Sequence, residues 1–139
     1  MEMLASFAKV NLWSVLLAGI SYLILGALWY SPLLFGKQWM ELNCFTDKDL
    51  KTNKPMWVIT LLTFLSAAIA SFVISMVLGP NPNAPFGAII GACIAAFWIS
   101  MSKLTDVLFE NKPVKLFLLH AGFDLVAFMI MGAIVGYWR

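Results

Sequence analysis

Four long apolar runs constrain this chain more than any other feature of its sequence. They cover about residues 10–30, 55–78, 85–109 and 113–138, and they leave only short connections among the 139 residues. A bilayer core about 30 Å thick needs about 20 apolar helical residues for each crossing, so each run is long enough to span it. Hydrocarbon leaves only helices or closed barrels, and the alternating pattern of barrel strands is absent. The sequence therefore predicts an all-α polytopic membrane protein, with residues 1–139 forming a single domain of four transmembrane helices.

The composition agrees with a lipid bilayer as the surroundings of the protein. The chain is 62% hydrophobic and 12% charged, which is far from the average of soluble domains. A net charge of +2 is too small to indicate nucleic-acid binding. The first apolar run is too long for a removable signal peptide and lacks a small-residue cleavage pattern. We expect neither nucleic acid nor a cofactor as a ligand.

The distribution of basic residues predicts an orientation. Only Lys9 and Arg139 lie on the side of the two termini, and seven lysines lie in or beside the first and third loops. These seven are Lys37, Lys48, Lys51, Lys54, Lys103, Lys112 and Lys115. Because basic residues concentrate in cytoplasmic loops, we expect a multi-pass protein of the inner (cell) membrane, with both termini outside and these two loops in the cytoplasm.

The first loop, residues 31–54, carries the pattern of a short amphipathic helix. Ser31 and Pro32 suit an N-cap and a first helical position, since serine accepts a backbone N–H and proline has none to leave unpaired. Phe35, Trp39 and Leu42 then recur at spacings of four and three among polar residues. The pattern predicts a helix in the membrane interface. A continuous first helix kinked at Pro32 is the alternative.

The loops carry three further signals. Thr46 and Asp49 resemble a capping box, which predicts a second short helix in the first loop. Residues 79–85 and 110–112 are short turns rich in Pro, Asn, Gly or charge, so the last two crossings form an antiparallel hairpin. Cys44 and Cys93 fall at different depths, and we expect them to form neither a disulfide nor a metal site.

Polar residues inside the last two runs form the candidate site: Ser100 and Lys103 on the third helix, His120 and Asp124 on the fourth. Lys103 and His120 lie about equally far from the turn, and Asp124 lies about 16 Å beyond residue 113, near the midplane. A carboxylate there must be neutral, paired or hydrated. Lys103 has Asp106, one helical turn away, as an alternative partner.

Two interpretations of this cluster stay open. In one, a closed hydrogen-bonded cluster fixes the register of the two helices; in the other, the cluster lines a hydrated cavity that binds or relays a proton, an ion or a polar solute. One histidine and one carboxylate are too few for a metal site, and no nucleophile–base pair or phosphate loop is present, so we expect neither a metal nor an enzyme.

Small residues at helical spacing predict close helix packing. They are Gly87 and Gly91, extended by Ala95, on the third helix, Gly132 and Gly136 on the fourth, and Ala67, Ser71 and Ser75 on the second. Small residues let helix backbones approach closely in lipid. These are more faces than one bundle needs, which favours a homo-oligomer.

The stretch from Gly26 to Gly36, GALWYSPLLFG, with Trp39 after it, resembles the signature of the family known as domain of unknown function 1761. Similarity continues in Asp49-Leu50, in residues 116–122 and in residues 131–134 with Trp138. The resemblance implies a small bacterial-type four-helix membrane protein, without an activity, substrate or cofactor. The resemblance assigns the following residues of this chain to the family motif, without giving them roles: Trp29, Tyr30, Ser31, Pro32, Phe35, Gly36 and Trp39.

The leading hypothesis is an oligomeric channel or transporter for a proton, an ion or a small polar solute. Its site lies between the third and fourth helices, with Tyr22 or Tyr30 as contributors. The alternative is a non-catalytic membrane interaction or assembly subunit, whose protein partner the sequence does not identify.

Overall fold

The computed structural model describes residues 10–43, 55–78 and 83–138, and every element in this part of the chain is helical. The helices are α1 (Leu12–Trp29), α2 (Gly36–Asn43), α3 (Met56–Val77), α4 (Ala84–Ile94), α5 (Ser100–Phe109) and α6 (Val114–Tyr137), with a π-helical turn (Ala95–Ile99) between α4 and α5. Four helices are long and apolar enough to span a membrane: α1, α3, the continuous helix Ala84–Phe109 and α6. The predicted all-α fold with four crossings is confirmed.

Helix α6 is the centre of the bundle. It packs against α1, α3 and the whole of the third crossing, Ala84–Phe109, whereas α3 and α4 hardly touch each other. Met131 and Val135 of α6 are fully buried, together with Ile74 of α3 and Ala18 of α1. Many other large apolar side chains of the crossings are exposed, as expected of helices that face lipid.

Asparagines set two of the helix ends and one turn. Asn11 accepts the Trp13 N–H at the start of α1, and Asn83 accepts the Phe86 N–H at the start of α4, so the third crossing begins one residue earlier than predicted. Asn111, with φ 54°, occupies the left-handed region in the turn between α5 and α6, which asparagine tolerates better than most residues. The turn folds α5 and α6 back on each other, as the predicted hairpin requires.

The two glycine pairs pack against each other inside one chain. A Cβ on Gly87 would collide with the carbonyl oxygen of Gly132, and a Cβ on Gly91 with the carbonyl oxygen of Phe128. Gly136 lies against the backbone at the start of α4 in the same way. The small residues of α3 (Ala67, Ser71 and Ser75) are buried as well. The surplus of small-residue faces that favoured a homo-oligomer is therefore used within the monomer.

The third crossing keeps one face against α6 through the π turn. Its buried positions Gly87, Gly91, Ala95 and Ser100 are separated by four, four and five residues. The Ser100 hydroxyl donates to the Ala95 carbonyl at 2.7 Å, across the five-residue step. Since a π turn accommodates one residue more than an α turn, Ser100 returns to the face that the glycines occupy.

The predicted start of the interfacial helix at Ser31 and Pro32 is wrong. The Ser31 hydroxyl donates backward to the Leu28 carbonyl at 2.6 Å, so it closes α1 instead of capping a new helix. The Ser31 carbonyl accepts the N–H groups of Leu34 and Gly36, and these bonds hold residues 31–35 in turns. Helix α2 begins only at Gly36. The chain thus leaves α1 before Pro32, and no kinked continuous helix forms.

Gly36 makes this reversal possible. A Cβ there would lie 2.5 Å from the Tyr30 carbonyl oxygen and 2.7 Å from the backbone of Ser31, closer than real Cβ atoms approach. The absence of a side chain at Gly36 therefore permits close backbone contact within the same chain. The predicted capping box at Thr46 and Asp49, and Cys44, lie outside the described residues.

Candidate functional site

A buried ion pair joins the third crossing to α6. Lys103 Nζ lies 2.5 Å from Asp124 Oδ2, and the two side chains are 34% and 3% exposed. A lone carboxylate at this depth is costly, by about 2.5 to 3.5 kcal/mol or more on insertion scales. The lysine ammonium compensates the carboxylate charge directly, and only the lysine end of the pair reaches solvent-accessible space.

The direction of the side chains explains why Lys103 meets Asp124 and not His120, the residue at equal distance from the turn. Every helical Cα–Cβ bond tilts toward the N-terminus of its helix. On α5 this direction leads away from the turn, and on α6 it leads toward the turn. Because the hairpin is antiparallel, the side chains of Lys103 and Asp124 lean toward each other across one helical turn.

His120 is paired with Tyr30 instead. The Tyr30 oxygen lies 2.7 Å from His120 Nδ1. Burial, with the charge of Asp124 as a second cause, raises the pKa of the Tyr30 phenol just beyond the end of α1. The phenol therefore keeps its proton, and the tautomer of the imidazole decides which of the two groups donates.

The motif around Trp29 and Tyr30 carries the phenol to this position. The rings of Trp29 and Phe35 lie 4.7 Å apart, and the Tyr30 ring lies 5.8 Å from Trp39 and 5.4 Å from Phe123. These contacts fold α2 back beside α6. The motif thus reverses the chain and also places Tyr30 against the histidine of the site.

A cleft of about 220 Å³, called the polar cleft because four charged side chains line it, runs from the α5–α6 turn to Lys103, the more exposed partner of the ion pair. Lys103 and His120 form part of its walls, and Asp106, Glu110 and Lys112 lie nearer the turn. Lys112 Nζ is 2.9 Å from Glu110 Oε2, so these two charges pair at the mouth. Toward the other end of the bundle, the glycines of α4 and α6 bring the two helix backbones into close contact. The Lys103 end of the ion pair is therefore accessible from the α5–α6 turn.

The structure brings together three of the four predicted site residues. Lys103 and Asp124 form the ion pair, and His120 lines the same cleft. Ser100 does not line the cleft, and its buried hydroxyl donates to the Ala95 carbonyl. Asp106, the alternative partner of Lys103, is exposed and forms no ion pair with it in the described part of the chain.

Of the two tyrosines named from the sequence, Tyr30 joins the site through its hydroxyl, whereas the Tyr22 ring packs edge-on against Phe123 at 5.2 Å. Across residues 10–43, 55–78 and 83–138, no group of three or more His, Cys, Asp or Glu side chains is arranged to hold a metal ion. The chemistry that these side chains offer is ion pairing and proton exchange.

Comparison with known proteins identifies a family. The family model described as "Protein of unknown function (DUF1761)" matches residues 13–136, so the match runs from α1 to the last turn of α6. No curated protein and no solved structure matches the chain. The chain belongs to the DUF1761 family.

Proposed function

We propose that this member of the DUF1761 family is a membrane transport protein that carries protons, with the Lys103–Asp124 pair as its binding site. The role is non-enzymatic and needs no cofactor. The observation that carries the proposal is the ion pair of buried Asp124 with Lys103, which lines the polar cleft. Ionisable residues within transmembrane segments are costly and commonly mark the route of an ion or a proton.

The exposure of the pair favours a proton over a larger ion. Asp124 is 3% exposed, which leaves no room for a hydrated ion beside its carboxylate. A proton arriving through the cleft converts Asp124 to the neutral acid and frees Lys103, which already reaches the cleft. His120 lies on the wall of the cleft and one turn from Asp124 on α6. It is therefore placed to pass a proton from the cleft to the Asp124 carboxylate.

Release on the opposite side requires a second state of the bundle. The helices α4 and α6 are in close backbone contact at their glycines, and the π turn separates α4 from the half of the crossing that bears Lys103. Because π turns interrupt the regular hydrogen-bond ladder and are frequent at functional sites, we place the hinge there. Transport then consists of α4 moving against α6 while the Lys103 half keeps its contact.

Proton flux into liposomes tests the proposal. The full chain is reconstituted with an enclosed pH-sensitive dye, and a potassium gradient with valinomycin drives the flux. Asp124→Asn and Asp124→Leu should abolish flux above that of empty liposomes, and Lys103→Gln should reduce it at least about tenfold. Lys37→Gln is the matched control, since Lys37 is an exposed lysine on α2 away from the cleft.

The double variant Lys103→Gln/Asp124→Asn separates transport from folding. It removes both charges together and should fold, as judged by circular dichroism and a monodisperse elution profile, while carrying no protons. Unchanged flux in Asp124→Asn would remove the pair from the mechanism. Wild-type flux equal to that of empty liposomes would refute proton transport altogether.

We also propose the orientation expected from the lysines: the inner membrane, with the first and third loops in the cytoplasm. The polar cleft lies at the end of the bundle that carries these loops, so it would open to the cytoplasm. Reporter fusions at the C-terminus test this, because the proposal requires activity of a periplasmic reporter and silence of a cytoplasmic one. The reverse pattern would overturn it.

A homo-oligomer is the second proposal, and it rests on a different surface. The weakly packed α3 and α4 leave an apolar groove of about 700 Å³ between them. Phe97 and Trp98 stand beside this groove and are 78% exposed each. A protruding pair next to a recess on one face suits a two-fold contact in which each copy inserts its rings into the other.

The mass of the detergent-solubilised protein tests this contact. Phe97→Ala/Trp98→Ala should convert a dimer to a monomer, whereas Trp57→Ala should not, since Trp57 is a tryptophan of similar exposure (69%) on α3 outside the groove. A monomeric wild-type protein would refute the dimer. A different protein held in the groove at fixed stoichiometry would also refute it and would favour the assembly-subunit role.

A further inference from the structure

A second cavity lies beside α2, away from the polar cleft. It has a volume of about 520 Å³, and its walls come from α2, from the end of α1 and from the first turns of α6. Trp29, Phe35, Leu118 and Leu119 give it apolar surface, and Gln38, Glu41 and Lys115 give it polar groups. Apolar walls with a few convergent polar groups are typical of small-ligand sites.

The position of the cavity corresponds to the headgroup level of a bilayer. Trp29 is the last residue of α1, and Lys115 is the second residue of α6, so both lie where a crossing ends. Leu118, one turn further into the bilayer, is 61% exposed. A molecule in this cavity therefore has polar groups at the interface and continuous access to the hydrocarbon.

The polar groups of the cavity carry opposite charges that are not paired with each other. Glu41 and Lys115 are both exposed, and neither forms an ion pair with any described residue. The walls thus offer one cation and one anion, which together complement a zwitterion.

We propose that this cavity binds the headgroup of a phospholipid that carries a primary ammonium, such as phosphatidylethanolamine. The phosphate accepts hydrogen bonds from Lys115 and from the Gln38 amide, and the ammonium donates to the Glu41 carboxylate. A quaternary ammonium has no N–H to donate, so a choline headgroup loses the second contact. An anionic glycerol headgroup meets the charge of Glu41 without compensation.

Native mass spectrometry of the delipidated full chain tests the site. The protein is titrated with phosphatidylethanolamine, phosphatidylcholine and phosphatidylglycerol of identical acyl chains. We expect phosphatidylethanolamine to be retained about fivefold more tightly than the other two, the size of one exposed charge contact. Equal retention of the three lipids, or preference for phosphatidylglycerol, would overturn the proposal.

Two single variants assign the contacts. Lys115→Gln should weaken phosphatidylethanolamine binding about threefold to fivefold, and Glu41→Gln should remove its advantage over phosphatidylglycerol. Lys37→Gln, an exposed lysine on α2 that does not line the cavity, should change neither value. Loss of the advantage in the Lys37 variant, or its persistence in the Glu41 variant, would show that the preference arises elsewhere.

Soluble phosphoethanolamine distinguishes a lipid from a free phosphate compound. The soluble headgroup lacks acyl chains, so it should not displace the lipid at millimolar concentration. Displacement would reassign the site to a soluble ligand and refute the lipid proposal. Because none of these residues lines the polar cleft, lipid binding can fail while proton flux persists, and the reverse holds as well.

Discussion

Replacing Lys103 with methionine is the sharpest perturbation of this structure. Methionine retains the apolar stem of the lysine and removes only the ammonium, so the packing between α5 and α6 changes little. Asp124, with a side chain 3% exposed, then lacks its counter-ion. Either the carboxylate stays ionised in apolar surroundings, or it takes up a proton when the protein folds.

The two routes predict similar losses in the free energy of unfolding. Removing one partner of a buried ion pair costs about 3 to 5 kcal/mol. Protonating a carboxyl of ordinary pKa near 3.9 at pH 7 costs about 4 kcal/mol, at about 1.4 kcal/mol for each pH unit. We therefore expect Lys103→Met to lower the free energy of unfolding by about 3 to 4 kcal/mol.

The reciprocal change should cost less, because the two partners differ in burial. In Asp124→Asn the unpaired lysine is already 34% exposed, and its flexible stem lets the ammonium move further into the cleft. We expect a loss of about 1 to 2 kcal/mol, since the hydrogen bond is weakened and no buried charge remains. The double variant Lys103→Met/Asp124→Asn leaves neither charge and should lie close to Asp124→Asn.

Reversible unfolding by sodium dodecyl sulfate in mixed micelles, followed by tryptophan fluorescence, measures these differences. The four proteins form a double-mutant cycle, and we expect a coupling energy of at least about 2 kcal/mol. The denatured state in micelles keeps helices and finds some polar partners, which reduces the values below those of soluble proteins. A coupling below about 0.5 kcal/mol, or equal losses in the two single variants, would refute the argument from burial.

Three further predictions follow from close contacts. Gly91→Ala places a methyl group against a backbone carbonyl, so it should destabilise the protein by about 1 to 3 kcal/mol and lower the melting temperature. Gly26→Ala is the control: its Cβ would meet only a ring at 3.6 Å, and it should be nearly neutral in the same thermal assay. Tyr30→Phe removes the hydrogen-bond partner of His120 and should cost about 1 kcal/mol in unfolding while shifting the imidazole resonances in NMR spectra, and unchanged resonances would contradict the hydrogen bond. Gly36→Ala should disturb the reversal after α1 and expose α2 to proteolysis, and a digestion rate equal to that of the wild type would disprove this role.

The number of crossings could be predicted from the sequence, because apolar length alone decides what spans a bilayer. The partner of Lys103 could not be predicted from equal distance to the turn, since the tilt of Cβ atoms shifts the meeting point by one helical turn. The role of Ser31 could not be predicted from the sequence either. A serine before a proline can close one helix or open the next, and only the donation to the Leu28 carbonyl distinguishes these cases.

The oligomer expectation shows another limit of the sequence. Glycines spaced by four residues predict close packing, but the partner helix is not encoded in the spacing. Gly87 and Gly91 face α6 of their own chain, so the motif could equally have served a second copy. The cavity beside α2 had no sequence signal, because its charged residues come from segments more than 70 positions apart.

The π turn at Ala95–Ile99 holds one residue more than a regular helix needs to join the glycine face to Ser100. Deleting one residue within the turn leaves 25 of 26 residues, still enough to span a bilayer, and hydropathy hardly changes. A regular α-helix would then form, and the residues after the deletion would keep their orientation relative to the glycine face, since the buried spacing becomes four throughout. A deletion between Ser100 and Lys103 would instead rotate Lys103 by about 100° away from Asp124 while every side chain of the site remained present. Among relatives of this chain, a gap at the π turn is therefore compatible with the ion pair, whereas a gap between Ser100 and Lys103 would indicate its loss as surely as a substitution of either charge.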